Sequence, residues 1–404
     1  MKIRLGLSLS LSGRYAAMGR QAEAALGVFA ATTNDRGGIR VGGERRDVEL
    51  VCIDDQSDAV RAATIYRSLC FENPCDIILG PYSSLLARAA APIASEAGRV
   101  FVNHGGADDE LFARGDPMIV GVLSPASSYM VVAVRLLAAL KFWRKRVAMV
   151  AAPTPFARAV SSGVERECEE RYARRRRVKV RVKWSAPFDP KASPAKLFPA
   201  LKRNRVNAVL SAGSYAYDLA VVRAIVAANL NIPVLGCVAA GVNAFGTELG
   251  AEAAGIVGPS QWEEGVAIAP ELGLSTRAFL GAIRPALRSE APDYPAAQAY
   301  AGAALAAGAI ERAGSLDQRS IRDAFSDLRT TTLFGEFQID RVSGRQLGHR
   351  MLLVQWHEGQ KMVIEPESHA ETGEIEFPAG WKLILAGFER FKLNRDREDH
   401  DEEE

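Results

Sequence analysis

Two glycine-rich polar segments are the parts of this chain best suited to hold a small molecule. Residues 80–84 read GPYSS and residues 103–107 read NHGGA, and each segment follows a short apolar run typical of a buried strand. In an open α/β sheet, loops after the carboxyl ends of the strands line a crevice toward which helix amino termini point. Hydroxyl groups and backbone amides in such loops bind polar or anionic groups, so the two segments predict a ligand site.

Motifs that support catalysis in α/β proteins are missing from the sequence. No Gly-x-Gly-x-x-Gly follows the first predicted strand, and no Gly-x-x-x-x-Gly-Lys loop is present to cradle phosphates. The AGSYA segment at residues 212–216 differs from a Gly-x-Ser-x-Gly nucleophile elbow at both outer glycines. His104 has no evident nucleophile paired with it, so we expect it to be structural or at the rim of the site. The sequence predicts neither an enzyme nor a bound cofactor.

Composition narrows the class of protein and of partner. Of the 404 residues, 48% are hydrophobic and 24% are charged, which is typical of globular proteins. The formal net charge is +2, so no overall field favours nucleic acid. The histidines are scattered and no Cys-x-x-Cys or His-Glu-x-x-His spacing occurs, so we predict no metal site. No apolar run is long enough to span a bilayer.

Short apolar runs alternate with helical patterns in two successive series, which predicts mostly parallel sheets. The first series has strands at residues 3–9, 48–53, 76–79, 99–103 and 118–121, with helices at 21–35, 59–71 and 85–97. The second has strands at residues 147–151, 178–184, 208–211 and 234–235, with helices at 127–141, 160–172, 194–203 and 217–229. Helices at 295–313 and 317–327 and antiparallel strands at 335–340, 350–357 and 361–364 follow.

This order predicts an α/β protein of two similar doubly wound lobes joined by a three-segment hinge. We expect the first lobe to comprise residues 1–122 and 258–334, and the second to comprise residues 123–257 and 335–367. Residues 368–404 would form a C-terminal extension whose acidic tail is disordered. Three crossings between lobes would permit the closure of a clamshell.

Several segments, in the right order, resemble one family. They are LSLSG at residues 9–13, NDRGGI at 34–39, DDQSD at 54–58, ILGPYSS at 78–84, the segment 101–111, and LVQW at 353–356. The chain resembles periplasmic solute-binding proteins of the branched-chain amino acid (Leu/Ile/Val) ABC transporter type, which have the type I periplasmic-binding fold. The resemblance extends to about residue 367. It implies a monomeric substrate-binding component that delivers a small carboxylate-bearing solute to a membrane permease.

The resemblance also implies which residues bind the ligand. The Ser84 hydroxyl and nearby amides would bind a carboxylate, while the backbone of Gly105 and Gly106 would bind the polar end. Met18 would cover the ligand, and Tyr294 or Gln298 would face its side-chain end. The complete expected set is Met18, Tyr82, Ser83, Ser84, Asn103, Gly105, Gly106, Ala107, Phe156, Tyr215 and Tyr294. Several have a simpler alternative: Ser84 as a helix N-cap, the glycines as a tight turn, and Met18, Tyr82, Phe156 and Tyr215 as packing residues.

Two departures from the family pattern affect the expected ligand. Ala107 stands where the family has a threonine, and no acidic residue lies near 238–239, where the family binds the α-ammonium group. Burying an ammonium group without a partner costs several kcal/mol, so an α-amino acid requires that Asp108 or Asp218 substitute. An aromatic or aliphatic carboxylate, or an amide, fits these loops equally well.

The sequence is compatible with two cellular compartments. Strand-like sequence begins at residue 3 without a signal peptide, so either an export signal has been removed from a periplasmic protein or the protein is cytoplasmic. The cytoplasmic alternative is a ligand-sensing regulator of the amide-sensor type with the same fold. Cys70 and Cys75 could form a disulfide or remain buried thiols.

Overall fold

The computed structural model describes residues 2–113, 115–140, 145–170, 178–230, 232–266, 268–288, 290–366, 374–375 and 391–392. The chain divides into two compact units. The first unit is Met1–Pro125 with Gln261–Arg350, and the second unit is Ala126–Ser260 with Met351–Glu404. Apart from residues 374–375 and 391–392, the predicted C-terminal extension lies outside the described residues.

The described strands and helices alternate along most of the chain. The strands are β1 Ile3–Leu9, β2 Ile39–Val41, β3 Glu44–Arg46, β4 Val48–Asp54, β5 Ile77–Leu79, β6 Phe101–Asn103, β7 Ile119–Gly121, β8 Lys145–Ala151, β9 Val178–Ser185, β10 Ala208–Ala212, β11 Val234–Cys237, β12 Val257–Ser260, β13 Thr330–Thr332, β14 Gly335–Phe337, β15 Leu352–His357, β16 Gln360–Glu365, β17 Glu374–Ile375 and β18 Phe391–Lys392. The helices are α1 Ala16–Asp35, α2 Ala59–Arg67, α3 Ser84–Glu96, α4 Glu110–Ala113, α5 Val131–Ala139, α6 Pro155–Glu170, α7 Ser193–Arg203, α8 Tyr215–Ala227, α9 Asn243–Leu249, α10 Thr276–Leu287, α11 Tyr294–Ala313 and α12 Gln318–Asp327.

The first unit is built on a five-stranded parallel sheet in the order β4-β1-β5-β6-β7. Strands β5 and β6 are fully buried and β1 is buried at every position except Arg4, as expected for a parallel sheet covered on both faces. The alanine-rich helix α11 packs against α1, α12, β5 and β6, and most of its residues are buried. Because β1, β5 and β6 are neighbouring parallel strands, the loops that follow them lie at one edge of the sheet.

The second unit is built on a seven-stranded mixed sheet in the order β16-β15-β12-β11-β10-β8-β9. Strands β8 to β12 pair in parallel, whereas β15 pairs antiparallel with both β12 and β16. The predicted α/β fold is confirmed. The structure holds Cys70 and Cys75, both in the first unit, as free and buried thiols.

The third division of the chain follows Arg350, whereas the sequence led us to expect it after residue 334. Strand β14 pairs with β13 of the first unit instead of joining the sheet of the second. The segment that follows is bonded to β7 and its loop. The Gly121 amide donates to the carbonyl of Gly344 (2.8 Å), and Gln346 Nε2 donates to the carbonyl of Val122 (3.1 Å). These contacts assign residues 335–350 to the first unit.

Candidate ligand-binding site

The loop after β5 ends at the amino terminus of α3, and Ser83 occupies the capping position there. Its backbone is extended (φ −132°, ψ −166°), yet its side chain makes no capping hydrogen bond. The Ser83 Oγ is buried and has no hydrogen-bond partner among the described residues. Ser84 is the first helical residue, so the N-cap position considered for Ser84 in the sequence is occupied by Ser83 instead. The first amides of any helix have no intrahelical acceptor, so this end of α3 favours an anionic group.

The loop after β6 is held by the side chain of Asn103. The Gly106 amide donates to Asn103 Oδ1 (2.9 Å), and Asn103 Nδ2 donates to the carbonyl of Gly106 (2.6 Å). Asn103 is fully buried and thus shapes the loop. Both backbone polar groups of Gly106 are already bonded within the loop, and the adjacent Ala107 is buried. We therefore assign Asn103 and Gly106 a positioning role.

Gly105 brings the two loops into direct backbone contact. A Cβ atom at this position would lie 2.3 Å from the carbonyl oxygen of Pro81 and 2.8 Å from the Cα of Tyr82. Only a glycine permits this approach. The segments at residues 80–84 and 103–107 therefore meet, as their positions after neighbouring strands predict.

Tyr82 links these loops to the start of α11. Its hydroxyl is 2.8 Å from the hydroxyl of Tyr294, and its ring meets the ring of Tyr15 edge to face at 5.8 Å. Burial raises the pKa of Tyr82 to about 12, so the phenol is neutral at physiological pH. Asp293 caps α11 by accepting from the amide of Tyr294 (2.8 Å). Two predicted site residues, Tyr82 and Tyr294, are thus brought together.

His104 and Gln298 are buried polar residues of the same region. His104 is 0% exposed, and neither ring nitrogen has a hydrogen-bond partner among the described residues. Of the two expected places for His104, structural or at the rim, burial excludes the rim. Burial lowers the pKa of His104 to about 4, so the imidazole is neutral at pH 7. Gly302 of α11 has no side chain and so leaves room for His104. A Cβ atom added at Gly302 would lie 3.1 Å from the Cβ of His104.

Gln298 lies one helical turn from Gly302 on one side and from Tyr294 on the other, so all three occupy one face of α11. Since Tyr294 contacts Tyr82 and Gly302 contacts His104, Gln298 lies between these two contacts along the helix. The Gln298 side chain is 1% exposed, and its Oε1 has no partner among the described residues. A glutamine within a run of buried alanines was a usable sequence signal for this position.

The loop after β1 is held by two aspartates of the DDQSD segment. Asp55 accepts from the hydroxyls of Ser8 (2.7 Å) and Ser10 (2.5 Å). Asp54 accepts from the Ser12 hydroxyl (2.8 Å). These bonds connect the carboxyl ends of β1 and β4 and position the start of α1. Met18, expected to cover the ligand, is half-buried in the first turn of that helix.

Asp108, one candidate partner for an ammonium group, is already engaged. It is 1% exposed and accepts from Arg88 Nη1 through Oδ2 (2.7 Å) and from the amide of Glu110 through Oδ1 (3.1 Å). The Arg88 guanidinium also pairs with the Glu110 carboxylate at 2.6 Å. Both oxygens of Asp108 are therefore occupied, and the Arg88 guanidinium is shared between two carboxylates.

Asp218, the other candidate, belongs to the second unit and is 0% exposed. Its Oδ1 accepts from the Ser211 hydroxyl (2.7 Å), and its Oδ2 accepts from the amide of Ala239 (3.0 Å). Burial raises the pKa of the Asp218 carboxyl to about 7. Asp218 therefore ties α8 to β10 and to the turn after β11, and both of its oxygens are occupied.

The two expected aromatic residues of the second unit lie at the starts of helices. Phe156, in the first turn of α6, is half-buried and packs edge to face on Tyr129 at 5.3 Å. Tyr215, the first residue of α8, donates from its hydroxyl to Glu248 Oε2 (3.4 Å). Burial raises the pKa of Tyr215 to about 12. Both helices follow carboxyl ends of strands, β8 and β10 respectively.

Two negative findings concern the described part of the chain. It contains no cluster of three or more His, Cys, Asp or Glu side chains arranged to hold a metal ion. None of its helices combines the length and apolar character that a membrane crossing needs.

Comparisons with known proteins agree with this architecture. A family model described as periplasmic binding protein matches residues 2–361. The substrate-binding protein LivJ of Streptococcus pneumoniae, a branched-chain amino acid transporter component solved with isoleucine, is 20% identical, with a TM-score of 0.72 over 91% of this chain and 100% of that one. The leucine-binding protein LivK of Thermotoga maritima is 19% identical, with a TM-score of 0.74 over 89% of this chain and 97% of that one.

A solute-binding protein of an ABC transporter from Rhodopseudomonas palustris, solved with 3,4-dihydroxybenzoic acid, is 16% identical. Its TM-score is 0.72, over 98% of this chain and 99% of that one. At such identities the structural likeness establishes the fold, and the family match covers most of the sequence. The resemblance inferred from the sequence motifs is confirmed: the chain belongs to the periplasmic binding protein family, whose members are non-enzymatic solute-binding proteins.

Proposed function

We propose that the chain is the substrate-binding component of an ABC transporter and captures a small carboxylate-bearing solute. The observation that carries the proposal is a group of buried polar atoms at one edge of the first unit, which have no hydrogen-bond partners among the described residues. They are Ser83 Oγ, both ring nitrogens of His104 and Gln298 Oε1. A buried polar atom without a partner costs about 1–3 kcal/mol, so a ligand that bonds to these atoms recovers part of that cost on binding.

The start of α3 supports a carboxylate as the group that is bound. Its first amides and the uncapped Ser83 hydroxyl are hydrogen-bond donors, and the helix dipole favours negative charge at this end. Neutral donors alone can hold an ionised carboxylate, because several amide bonds to a carboxylate stabilise its charged form. Tyr82, Ser84 and Gly105 border the same helix start and complete the first unit's contribution.

Family membership supports the rest of the proposal. The second unit would close over the ligand, with Phe156 and Tyr215 as apolar walls, and the closed monomer would deliver it to a membrane permease. Shifting the equilibrium between open and closed forms from mostly open to mostly closed requires the ligand to bind the closed form more favourably by about 5 kcal/mol. A ligand of about ten heavy atoms can supply this difference. The protein would act in the periplasm, and its recovery in the fluid released by osmotic shock tests that location.

Binding is tested by a thermal-shift screen of the purified chain against amino acids, aromatic acids, short diacids and amides. A ligand that binds tightly raises the melting temperature by mass action. Isothermal titration then measures the affinity, and mass spectrometry of the recovered ligand checks that it is released unchanged. If no class of compound in the screen shifts the melting temperature, the proposed function is contradicted.

The Ser83→Ala variant tests the place of binding. Removing a hydroxyl that bonds a carboxylate should weaken affinity about tenfold, or about 1.4 kcal/mol. The melting temperature of the free protein should hardly change, because this side chain makes no capping bond. Ser95→Ala, at the other end of the same helix, is the matched control and should bind as the parent does. Equal affinities in the Ser83 and Ser95 variants would remove Ser83 from the site.

A further inference from the structure

The carboxylates at the candidate edge of the first unit are already committed to holding its structure. Asp54 and Asp55 accept hydrogen bonds that fix the loop after β1. Asp108 is paired with Arg88, and Asp293 caps α11. An ammonium group arriving here would have to compete for an oxygen with a bond that shapes the loop or helix end.

Three side chains at this edge, those of Ser83, His104 and Gln298, have polar atoms without a partner among the described residues, and all three side chains are neutral. Ser83 and Gln298 carry no charge, and His104 is uncharged at pH 7 because its burial disfavours the imidazolium form. A serine hydroxyl both donates and accepts, the glutamine Oε1 accepts, and a neutral imidazole has one donor and one acceptor nitrogen. The group therefore offers at least two acceptors in addition to its donors.

These acceptors suit a neutral donor better than a cation. An ammonium group buried without an ionised partner costs several kcal/mol, whereas a hydroxyl or amide N–H needs only one hydrogen bond. A carboxylate at the start of α3 has its own donors, so the acceptors of His104 and Gln298 remain for a second polar group of the ligand. Gln298 lies along α11 between the contacts to Tyr82 and His104, which places it within the same region.

We propose that this site takes a carboxylic acid bearing a neutral hydrogen-bond donor, such as a hydroxy acid, in preference to an α-amino acid. Gln298 and His104 are the specificity-determining residues. The inference rests on the proposed function, because it names the ligand class of the same site. It excludes the α-amino acid as the best ligand on the basis of charge.

Matched triplets of ligands test the preference by isothermal titration at about pH 7.5. One triplet is leucine, 2-hydroxy-4-methylpentanoate and 4-methylpentanoate, and another is phenylalanine, 3-phenyllactate and 3-phenylpropanoate. The members of a triplet differ only in an ammonium group, a hydroxyl or a hydrogen at one carbon. We expect the hydroxy acid to bind at least about tenfold more tightly than the amino acid in the triplet that fits best.

Two substitutions of Gln298 test its role. Gln298→Met keeps the length of the side chain and removes its acceptor, so the advantage of the hydroxy acid over the unsubstituted acid should fall about tenfold. Gln298→Glu supplies an ionised partner, so affinity for the amino acid should rise at least about tenfold relative to the hydroxy acid. Gln360→Met, at an exposed position of the second unit, is the control. Melting temperatures show whether each variant is folded.

The outcomes separate this inference from the proposed function. Amino acids that bind as tightly as hydroxy acids, or more tightly, overturn the inference and leave the solute-binding function standing. An unchanged hydroxy-acid preference in folded Gln298→Met removes Gln298 from the specificity role. If all members of all triplets fail to bind, along with every compound of the wider screen, both proposals are wrong.

Discussion

His349 should make the stability of the first unit depend on pH, through a buried network beside the connections between the units. Its Nε2 is 3.0 Å from the carbonyl oxygen of Gln261 and its Nδ1 is 2.7 Å from the hydroxyl of Ser124. Since a carbonyl only accepts, Nε2 carries the proton and Nδ1 accepts from Ser124. The chain passes between the units after Pro125, before Gln261 and after Arg350, so the network joins residues beside all three connections.

The pKa of His349 sets the size of the effect. Burial lowers it from 6.5 to about 4, which corresponds to about 3 kcal/mol because one pKa unit is about 1.4 kcal/mol. Below pH 6.5 the unfolded chain binds a proton that the folded chain does not. The free energy of unfolding therefore falls as the pH drops from about 6.5 to about 4, and the stability from this group is complete only above that range.

The variant His349→Gln tests this effect, with the free energy of unfolding measured in urea from about pH 7.5 to about pH 4. At the upper end the variant should be less stable, because it loses a buried hydrogen bond worth about 1 kcal/mol and the stacking of the imidazole on Phe334 at 4.4 Å. Between pH 6.5 and 4 the stability of the variant should fall less steeply than that of the parent, and the two slopes should differ by about 1.4 kcal/mol per pH unit. The deficit at neutral pH should therefore shrink or reverse in acid.

A second variant tests the same reasoning at another buried histidine. His104 has the same lowered pKa of about 4 but no hydrogen-bond partner among the described residues, so His104→Asn should flatten the pH dependence without the loss of a network. The double variant should lose both contributions, and a departure from the sum of the two single effects would measure coupling between the sites. Parallel stability curves for the parent and His349→Gln between pH 6.5 and 4 would refute the reasoning.

Three further predictions concern single residues. Burial raises the pKa of Asp218 from 3.8 to about 7, so the free energy of unfolding of the parent falls as the pH rises between these values. The stability of Asp218→Asn relative to the parent, measured by urea unfolding, should therefore increase by about 2–3 kcal/mol between pH 5 and pH 8. Gly105→Ala places a Cβ 2.3 Å from the Pro81 carbonyl and should lower stability by about 1–3 kcal/mol, while Gly27→Ala, with open space around it, should not. Asp55→Ala leaves two buried serine hydroxyls without their acceptor, so the melting temperature should fall by an amount equivalent to about 2–4 kcal/mol, and an unchanged value would contradict the role of this carboxylate in the loop.

The strands and most helices were predictable because local patterns determine them. The apolar run of β1 was predicted as residues 3–9, its observed bounds, and α11 begins one residue before its predicted start. Several elements were missed, including α4, α9, β12 and β13. The β2–β3 hairpin has strands of only three residues, and α10 contains Pro285, which breaks the helical pattern on which prediction depends.

The partners of individual polar groups were less predictable, since they depend on contacts between distant parts of the chain. The sequence placed Asp108 near the ligand loop, but its pairing with Arg88 arises because α3 passes beside that loop. The segment at residues 335–350 has strand-like composition, and only its pairing with β13 and its bonds to the β7 loop decide to which unit it belongs. Local patterns contain no information about either contact.

Charged residues attract attention in a sequence as candidate ligand contacts, yet here their main role is structural. Asp55 accepts three hydrogen bonds from the protein and Asp108 accepts two, and these bonds hold the loops at the edge where β1 and β6 end. Beside these loops lie the neutral side chains of His104 and of Gln298 on α11, and the His104 ring nitrogens and Gln298 Oε1 have no hydrogen-bond partner among the described residues. A site of this kind disfavours a buried cation, because no ionised partner is left for it. Among neutral groups it distinguishes ligands by the number and direction of their hydrogen bonds, because side chains with fixed positions penalise a ligand that leaves a buried donor or acceptor unpaired.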